Sequence, residues 1–156
     1  MILRLALLPF LAAAVACQPT QGVALERSAA GLEQIPLTIE SRGKRHAFIV
    51  EVARTPEEQT QGLMHRQSLA PDRGMIFPYD PPQPASFWMK NTLIPLDMIF
   101  VRADGTIGSI AANTVPMSLE PVPSGEPVAA VLEIAGGRSA ELGISAGDKV
   151  SWPRGE

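Results

Sequence analysis

The sequence predicts an α+β domain dominated by strands: a small closed or nearly closed barrel of about seven to eight mostly antiparallel strands with two short helices. Three observations carry the prediction. Short apolar runs with period two recur along the chain. Fifteen prolines and 13 glycines interrupt them, which excludes a helical bundle or a long coiled coil. Helix signals occur in two places only, and neither regular βαβ alternation nor a glycine-rich phosphate turn is present, so a Rossmann fold is excluded. A length of 156 residues allows one domain with one substantial core.

Residues 1–16 read as an export leader. Arg4 precedes an apolar run from Leu5 to Val15, which as a helix covers about 16 Å, about half the hydrocarbon thickness of a bilayer. Ala14-Val15-Ala16 satisfies the small-x-small rule for cleavage, leaving Cys17 as the first mature residue. That arrangement resembles a bacterial lipobox, in which the thiol takes a diacylglycerol; it departs from it at Ala14, where Leu is usual, so lipoprotein and ordinary signal cleavage both stay open. Residues 17–34 lack sustained periodicity and read as a flexible tether. The expected location is the periplasm, with membrane contact only through a lipid on Cys17.

The folded domain should span residues 35–156. Ile35 to Ile39 alternates like a half-buried strand, Arg42 to Arg45 makes a charged turn, and Ala47 to Ala53 returns with Phe48, Val50 and Val52 on one face. Thr55-Pro56-Glu57-Glu58 starts a helix: Thr55 caps, Pro56 needs no amide partner in the first turn, and Glu58 completes a capping box. This helix is predicted to run to about Met64. A Pro71–Gly74 turn leads to a short strand, Met75 to Phe77. Tyr79 to Ala85 (YDPPQPA) reads as a stiff loop, and Phe87 to Met89 as a separate strand. Leu96 to Val101 is a strand apolar on both faces except at Asp97, and Asp104-Gly105 turns it into Thr106 to Ala111. Asn113 to Pro127, with four prolines, should be a long surface excursion. Val128 to Ala135 is a buried strand, Arg138 to Leu142 a short helix, and Lys149 to Trp152 the last strand.

Chemistry concentrates in two buried acids and the residues that could answer them. Asp97 shares a strand face with Ile99 and Val101, and Glu133 with Val131 and Ala135. An isolated carboxylate on an apolar face is costly, so each needs a donor or must be neutral. Arg66, Lys90 and Asn91 are the candidate donors. Two readings follow. One is a polar mouth in which Arg66, Trp88, Lys90, Asn91, Thr92, Asp97 and Glu133 bind a ligand, with Asp97, Glu133 and Lys90 as candidate catalytic groups. The other is a buried ion-pair network that pins the fold.

Several function classes fall away. A net charge of −3 gives no basic stripe for nucleic acid. One Cys excludes a disulfide framework and a Cys-rich zinc site. His46 and His65 match no metal-ligand spacing, no Gly-x-Ser-x-Gly nucleophile motif occurs, and nothing calls for a cofactor. Asp97 and Glu133 could serve as a glycosidase pair only at a suitable separation.

Gly62-Leu63-Met64, Arg66, Leu69, Gly74 to Phe77, Phe87-Trp88-Met89-Lys90-Asn91-Thr92, Pro95-Leu96-Asp97, Glu133 with Gly136, and Gly143 with Gly147-Asp148 together resemble the prokaryotic domain-of-unknown-function family 192. The match runs from about Phe48 to Val150, and His65 departs from it where relatives often carry an aromatic. The resemblance implies a compact β-rich domain, often exported, and brings no established biochemical activity with it. The leading expectation is therefore an exported, membrane-tethered binding or accessory module that holds a small polar ligand or an envelope protein partner at the barrel mouth. The alternatives are a small hydrolase-type enzyme using an Asp/Glu pair with Lys/Arg charge stabilisation, and a structural envelope protein whose partner covers the Pro-rich loops.

Overall fold

The computed structural model describes residues 26–154; the leader, Cys17 and the first part of the tether lie outside the described residues. Seven strands and two short helices follow in the order β1 (Gln34–Ser41), β2 (Lys44–Val52), α1 (Pro56–Gln61), β3 (Arg73–Phe87), β4 (Leu96–Val101), β5 (Ile107–Ala111), β6 (Val122–Ala135), α2 (Arg138–Leu142) and β7 (Lys149–Ser151). They form one sheet, ordered β5-β4-β6-β3-β2-β1-β7. Every pairing is antiparallel except β2 with β3.

The sheet curls into a half-barrel. Its outermost strands approach at one corner, where Ile107 N–H donates to Asp148 O and Val150 N–H to Gly105 O, both at 2.8 Å. The concave side holds Leu37, Ile39, Val50, Ile76, Ile99, Leu132 and Ile134. A second core lies on the convex, outer side of the central strands, made of Leu63, Met75, Phe77, Met89, Met98, Phe100 and Val131. All six residues of β4 are consequently buried. A parallel pair needs a crossover connection, and here α1 and residues 62–72 supply it across the outer face.

Local chemistry explains the joints. Arg42 and Gly43 both have positive φ (50° and 75°), which suits the tight turn between β1 and β2. Thr55 and Glu58 make the capping box: Glu58 N–H donates to Thr55 Oγ1 at 3.2 Å, and Thr55 N–H to the Glu58 carboxylate at 2.9 Å. The helix stops at Gln61 rather than Met64, because Gly62 turns the chain at φ 46° and Leu63 drops into the outer core.

The proline-rich segments depart most from expectation. Met75–Phe77 and the Tyr79–Ala85 segment read as a loop belong with Phe87 to one long strand, β3, which ends at Phe87, so that Trp88 and Met89, read as strand, lie in the connection that follows. The described residues thus form seven strands, within the expected seven to eight. The second half of the expected excursion is the start of β6, and the two segments pair with each other: Pro84 opposite Pro127, Ser86 opposite Pro123, Phe87 opposite Val122. Proline removes a ladder donor, but it tolerates extended backbone where bulges break the register. Bulges occur here between Pro78 and Gln83 and between Pro84 and Ser86. The Ser124 hydroxyl bridges the irregular stretch, accepting from Ala85 N–H at 3.0 Å and donating to Glu126 O at 2.6 Å.

Gly74 fixes how closely β3 and β6 approach. A Cβ at this position would stand 2.5 Å from the Glu133 carbonyl oxygen, a backbone atom that cannot swing aside. Gly74→Ala should therefore cost about 2 kcal/mol or more, as overpacking does in a rigid core. Urea unfolding checks this, and an unchanged midpoint would show that the spacing can relax.

Candidate functional site

One row of residues crosses the outer face. Glu51 stands opposite Met75, Met75 opposite Glu133, and Glu133 opposite Met98. Direct cross-strand partners stand about 5 Å apart, so Glu133 is flanked by two methionines that are themselves fully buried. Its own exposure is 4%. Within the described residues no donor reaches its carboxyl group, and burial alone pushes its pKa from 4.5 up to about 8. At neutral pH the group is a neutral carboxylic acid, able to donate one hydrogen bond and accept others.

This carboxyl opens into a hollow of about 360 Å³. Strand β3 supplies Phe77, Tyr79, Ser86 and Phe87, α1 and its exit supply Gln59 and Met64, and the following loop supplies Trp88 and Thr92. Phe77 and Phe87 meet edge to face at 4.9 Å between ring centroids and form an apolar wall. Tyr79 is held to a pKa of about 12, by burial first and then by proximity to Glu133. Its phenol therefore stays protonated. Among the described residues no Lys or Arg lines the hollow.

The segment Trp88 to Thr92 divides its labour. Trp88 is 48% exposed, and the Lys90 ammonium stands 5.0 Å from the centre of its ring, within cation–π range. Met89 is buried, and its sulfur accepts from the Thr114 hydroxyl at 3.1 Å. Asn91 takes φ 55°; its carbonyl accepts from His65 N–H at 2.9 Å, and its amide reaches the Met64 sulfur at 3.9 Å. Thr92 is buried with its hydroxyl turned to Lys90 O at 3.3 Å. The loop is a clamp with one aromatic face turned outward.

Asp97 does other work. Its Oδ1 accepts from Asn113 N–H and Gly137 N–H, and its Oδ2 from Ser139 N–H, each at 2.8 Å. The side chain is fully buried and ties the end of β5 to the start of α2. Register puts Asp97 opposite Ile134, one residue out of step with Glu133, so the two carboxyls lie on opposite faces of the sheet. Arg66 likewise serves elsewhere: it pairs with both carboxylate oxygens of Glu51, Nη1 lying 3.2 Å from Oε1.

Of the residues singled out in the sequence, Trp88, Thr92 and Glu133 thus meet at one hollow, and Lys90 reaches it only through Trp88. Asn91 braces the loop beneath. Arg66 and Asp97 lie apart, and none of the three expected donors serves either acid. Ser86 and Gln59 join the lining without having been anticipated, and so does Tyr79, which the sequence offers only as one of several aromatics. For Tyr79 a signal existed, since Met75, Phe77 and Tyr79 continue one alternation into the prolines. Among the described residues no group of three His, Cys, Asp or Glu side chains could hold a metal ion.

The family model for DUF192, described as "Uncharacterized ACR", matches residues 37–152. The chain belongs to this family. Two solved structures are similar to it. One is a protein of unknown function from Novosphingobium aromaticivorans DSM 12444, 46% identical with a TM-score of 0.79, over 86% of this chain and 100% of the other. The second, from Sinorhizobium meliloti 1021, is described as a candidate transcription regulator; it is 42% identical with a TM-score of 0.76, over 78% of this chain and 95% of its own. No curated protein matches the chain. In this DUF192 member, the residues Gly74, Asn91, Asp97 and Gly136 set backbone geometry, whereas the Glu133 carboxyl makes no hydrogen bond among the described residues. A Cβ on Gly136, for instance, would stand 2.8 Å from the Pro95 side chain.

Two substitutions separate these roles. Asp97→Asn leaves one acceptor for three backbone donors and should cost about 1.5–3 kcal/mol in urea unfolding, the range for hydrogen bonds to a charged group. It should leave the Glu133 titration where it was. Glu133 itself makes stability depend on pH. Because its pKa is raised on folding, from 4.5 to about 8, the fold is at its most stable with respect to this group below the unfolded value, and stability is lost as pH rises through that window. Glu133→Gln should abolish this slope. The variant should melt above the parent at pH 8.5 and approach it near pH 4; equal melting temperatures at both would contradict a dry, neutral carboxyl.

Proposed function

We propose that the chain is an exported binding module, held to a membrane by lipid on Cys17, that takes a small, weakly polar ligand in the hollow above Glu133. The observation that carries this reading is the unpartnered carboxyl at the floor of an open cavity. Ordinary packing has no use for a group that destabilises the fold where Met or Leu would fit. A ligand acceptor, such as a carbonyl or ether oxygen, would accept a hydrogen bond from the acid O–H, with Tyr79 also lining the hollow. The walls of Phe77, Phe87 and Trp88 would hold an apolar body. The lining formed by the described residues holds no cation, which disfavours strongly anionic ligands.

A second reading has one specific support. A carboxyl near pKa 8 stays protonated at neutral pH and could act as a general acid. The Asp97–Glu133 pair does not serve it, because the two groups face opposite ways; Glu133 would act with the Tyr79 hydroxyl.

The reading is tested by an NMR fragment screen of the ¹⁵N-labelled protein, using small amides, ketones and ethers. Hits should shift the amides of Tyr79, Trp88, Thr92 and Glu133 together, and should weaken by about tenfold in Glu133→Leu, the equivalent of one lost buried hydrogen bond. Fragments that bind the two proteins alike, or none that reaches the hollow, would remove the binding claim. Turnover of a hit, abolished in Glu133→Gln, would favour the enzyme. Mass spectrometry of the mature chain from its host should find Cys17 at the N-terminus with a diacylglycerol; an unmodified or uncut terminus would end the anchoring claim.

A further inference from the structure

The large apolar side chains that the described residues expose are Trp88, Leu93, Val115, Met117 and Leu119. All five lie on two connections, residues 88–95 between β3 and β4 and residues 112–121 between β5 and β6. Each connection carries the chain back over the outer face. β3 ends level with the start of β6, and β4 begins level with its end, so residues 88–95 must travel the length of the strands. Backbone bonds lock the two together: Met89 N–H donates to Ser118 O at 2.9 Å, and Met117 N–H to Thr92 O at 3.0 Å. Thr114 N–H adds a bond to Leu96 O at 2.9 Å. Scattered surface hydrophobes need no explanation, but a collected and rigid set marks an interaction surface.

We propose that this apolar rim seats the domain on a lipid bilayer surface, with Trp88 at headgroup level and the four aliphatic side chains below it. Three observations favour lipid over protein. An exposed Trp with a Lys ammonium above its ring has the amphipathic form suited to a membrane–water boundary. The two connections carry one cation and one anion, Lys90 and Glu120, so the rim is electrically balanced and would enter a zwitterionic surface without counter-charge. The described chain also begins on this same face. Leu32 packs into the outer core, and together with Ala30 it lines a shallow hollow that includes Met64, the residue whose sulfur meets Asn91. Glu26 follows Cys17 by nine residues, a reach of about 30 Å at full extension. A lipid on Cys17 would therefore hold this face close to the bilayer. That third argument rests on the proposed lipidation, whereas the first two do not.

The test uses the two tryptophans. In a Trp152→Phe background Trp88 is the sole indole, and phosphatidylcholine vesicles with brominated acyl chains report its contact with lipid. The mature chain is studied both lipidated and as Cys17→Ser, so that failure of lipidation and failure of the rim are read separately. Trp88 should be quenched and blue-shifted in both forms, with little dependence on salt. Met117→Ser with Leu119→Ser should weaken partitioning of the unlipidated form by about tenfold, without lowering its melting temperature. The proposal is overturned if Trp88 emission ignores the vesicles while the lipidated chain is bound to them. It is overturned equally if Cys17→Ser sediments as a dimer that shields Trp88 and does not partition, which would make a second copy the occupant.

Discussion

The strands at the middle of the sheet are dry on both faces, and most of the molecule's unusual features answer that condition. A half-barrel that faced water on its convex side would need alternating residues in β4 and β6. Here β4 is buried throughout, and β6 is buried without interruption from Val128 to Ile134. Backbone and side chains on the outer face must then be covered by whatever the connections can supply. The crossover through α1 covers one part, and the returning segments 88–95 and 112–121 cover the rest. These cover pieces meet imperfectly, and the hollow above Glu133 is the space left between them. The exposed Trp88, Leu93 and Met117 are the outward sides of the same cover.

This layering also decides what the sequence could disclose. Alternation along a strand tells which residues share a face, so Asp97 with Ile99 and Glu133 with Val131 were legible as buried acids. It does not tell which face is concave. The two carboxyls therefore looked like neighbours in one interior, whereas register places them on opposite sides of the sheet. Their partners were illegible for a related reason. Asp97 is satisfied by three backbone amides, which leave no trace in side-chain identity. Arg66 is claimed by Glu51, whose parity opposes Val50 and Val52 and already pointed it outward. The capping box at Thr55 and the strand from Leu96 to Val101 were readable because a few adjacent residues determine them. The proline ribbon was not, since each segment looks irregular alone and becomes a strand only when Pro84 finds Pro127 opposite.

The residues that carry the family resemblance are, for the most part, geometric. Gly74 and Gly136 permit close backbone contact, Asn91 takes a left-handed turn, Met89 plugs the outer core, and Asp97 gathers amides. A motif rich in polar residues need not mark a reactive centre when those residues are spent on holding loops in place. Such a scaffold can carry different sites in different members. What separates scaffold from site is whether a polar group has finished its hydrogen bonding inside the protein. Asp97 has.

Glu133 has not, and its contrast with Glu51 sharpens the point. The two glutamates flank Met75 in the same row, on the same face, at nearly the same depth. Glu51 meets a guanidinium that neutralises it by forming two charge-assisted bonds. Glu133 meets two methionines and an open hollow, and it escapes its own charge only by keeping a proton. A fold that could place Arg66 beside one carboxyl had a means of satisfying the other. Leaving it unsatisfied keeps a donor free at the floor of the cavity, where the Tyr79 phenol also stays protonated. The cavity thus presents two neutral hydroxyl donors and aromatic walls, and the ligand proposed for it is one that carries acceptors on an apolar frame and little net charge.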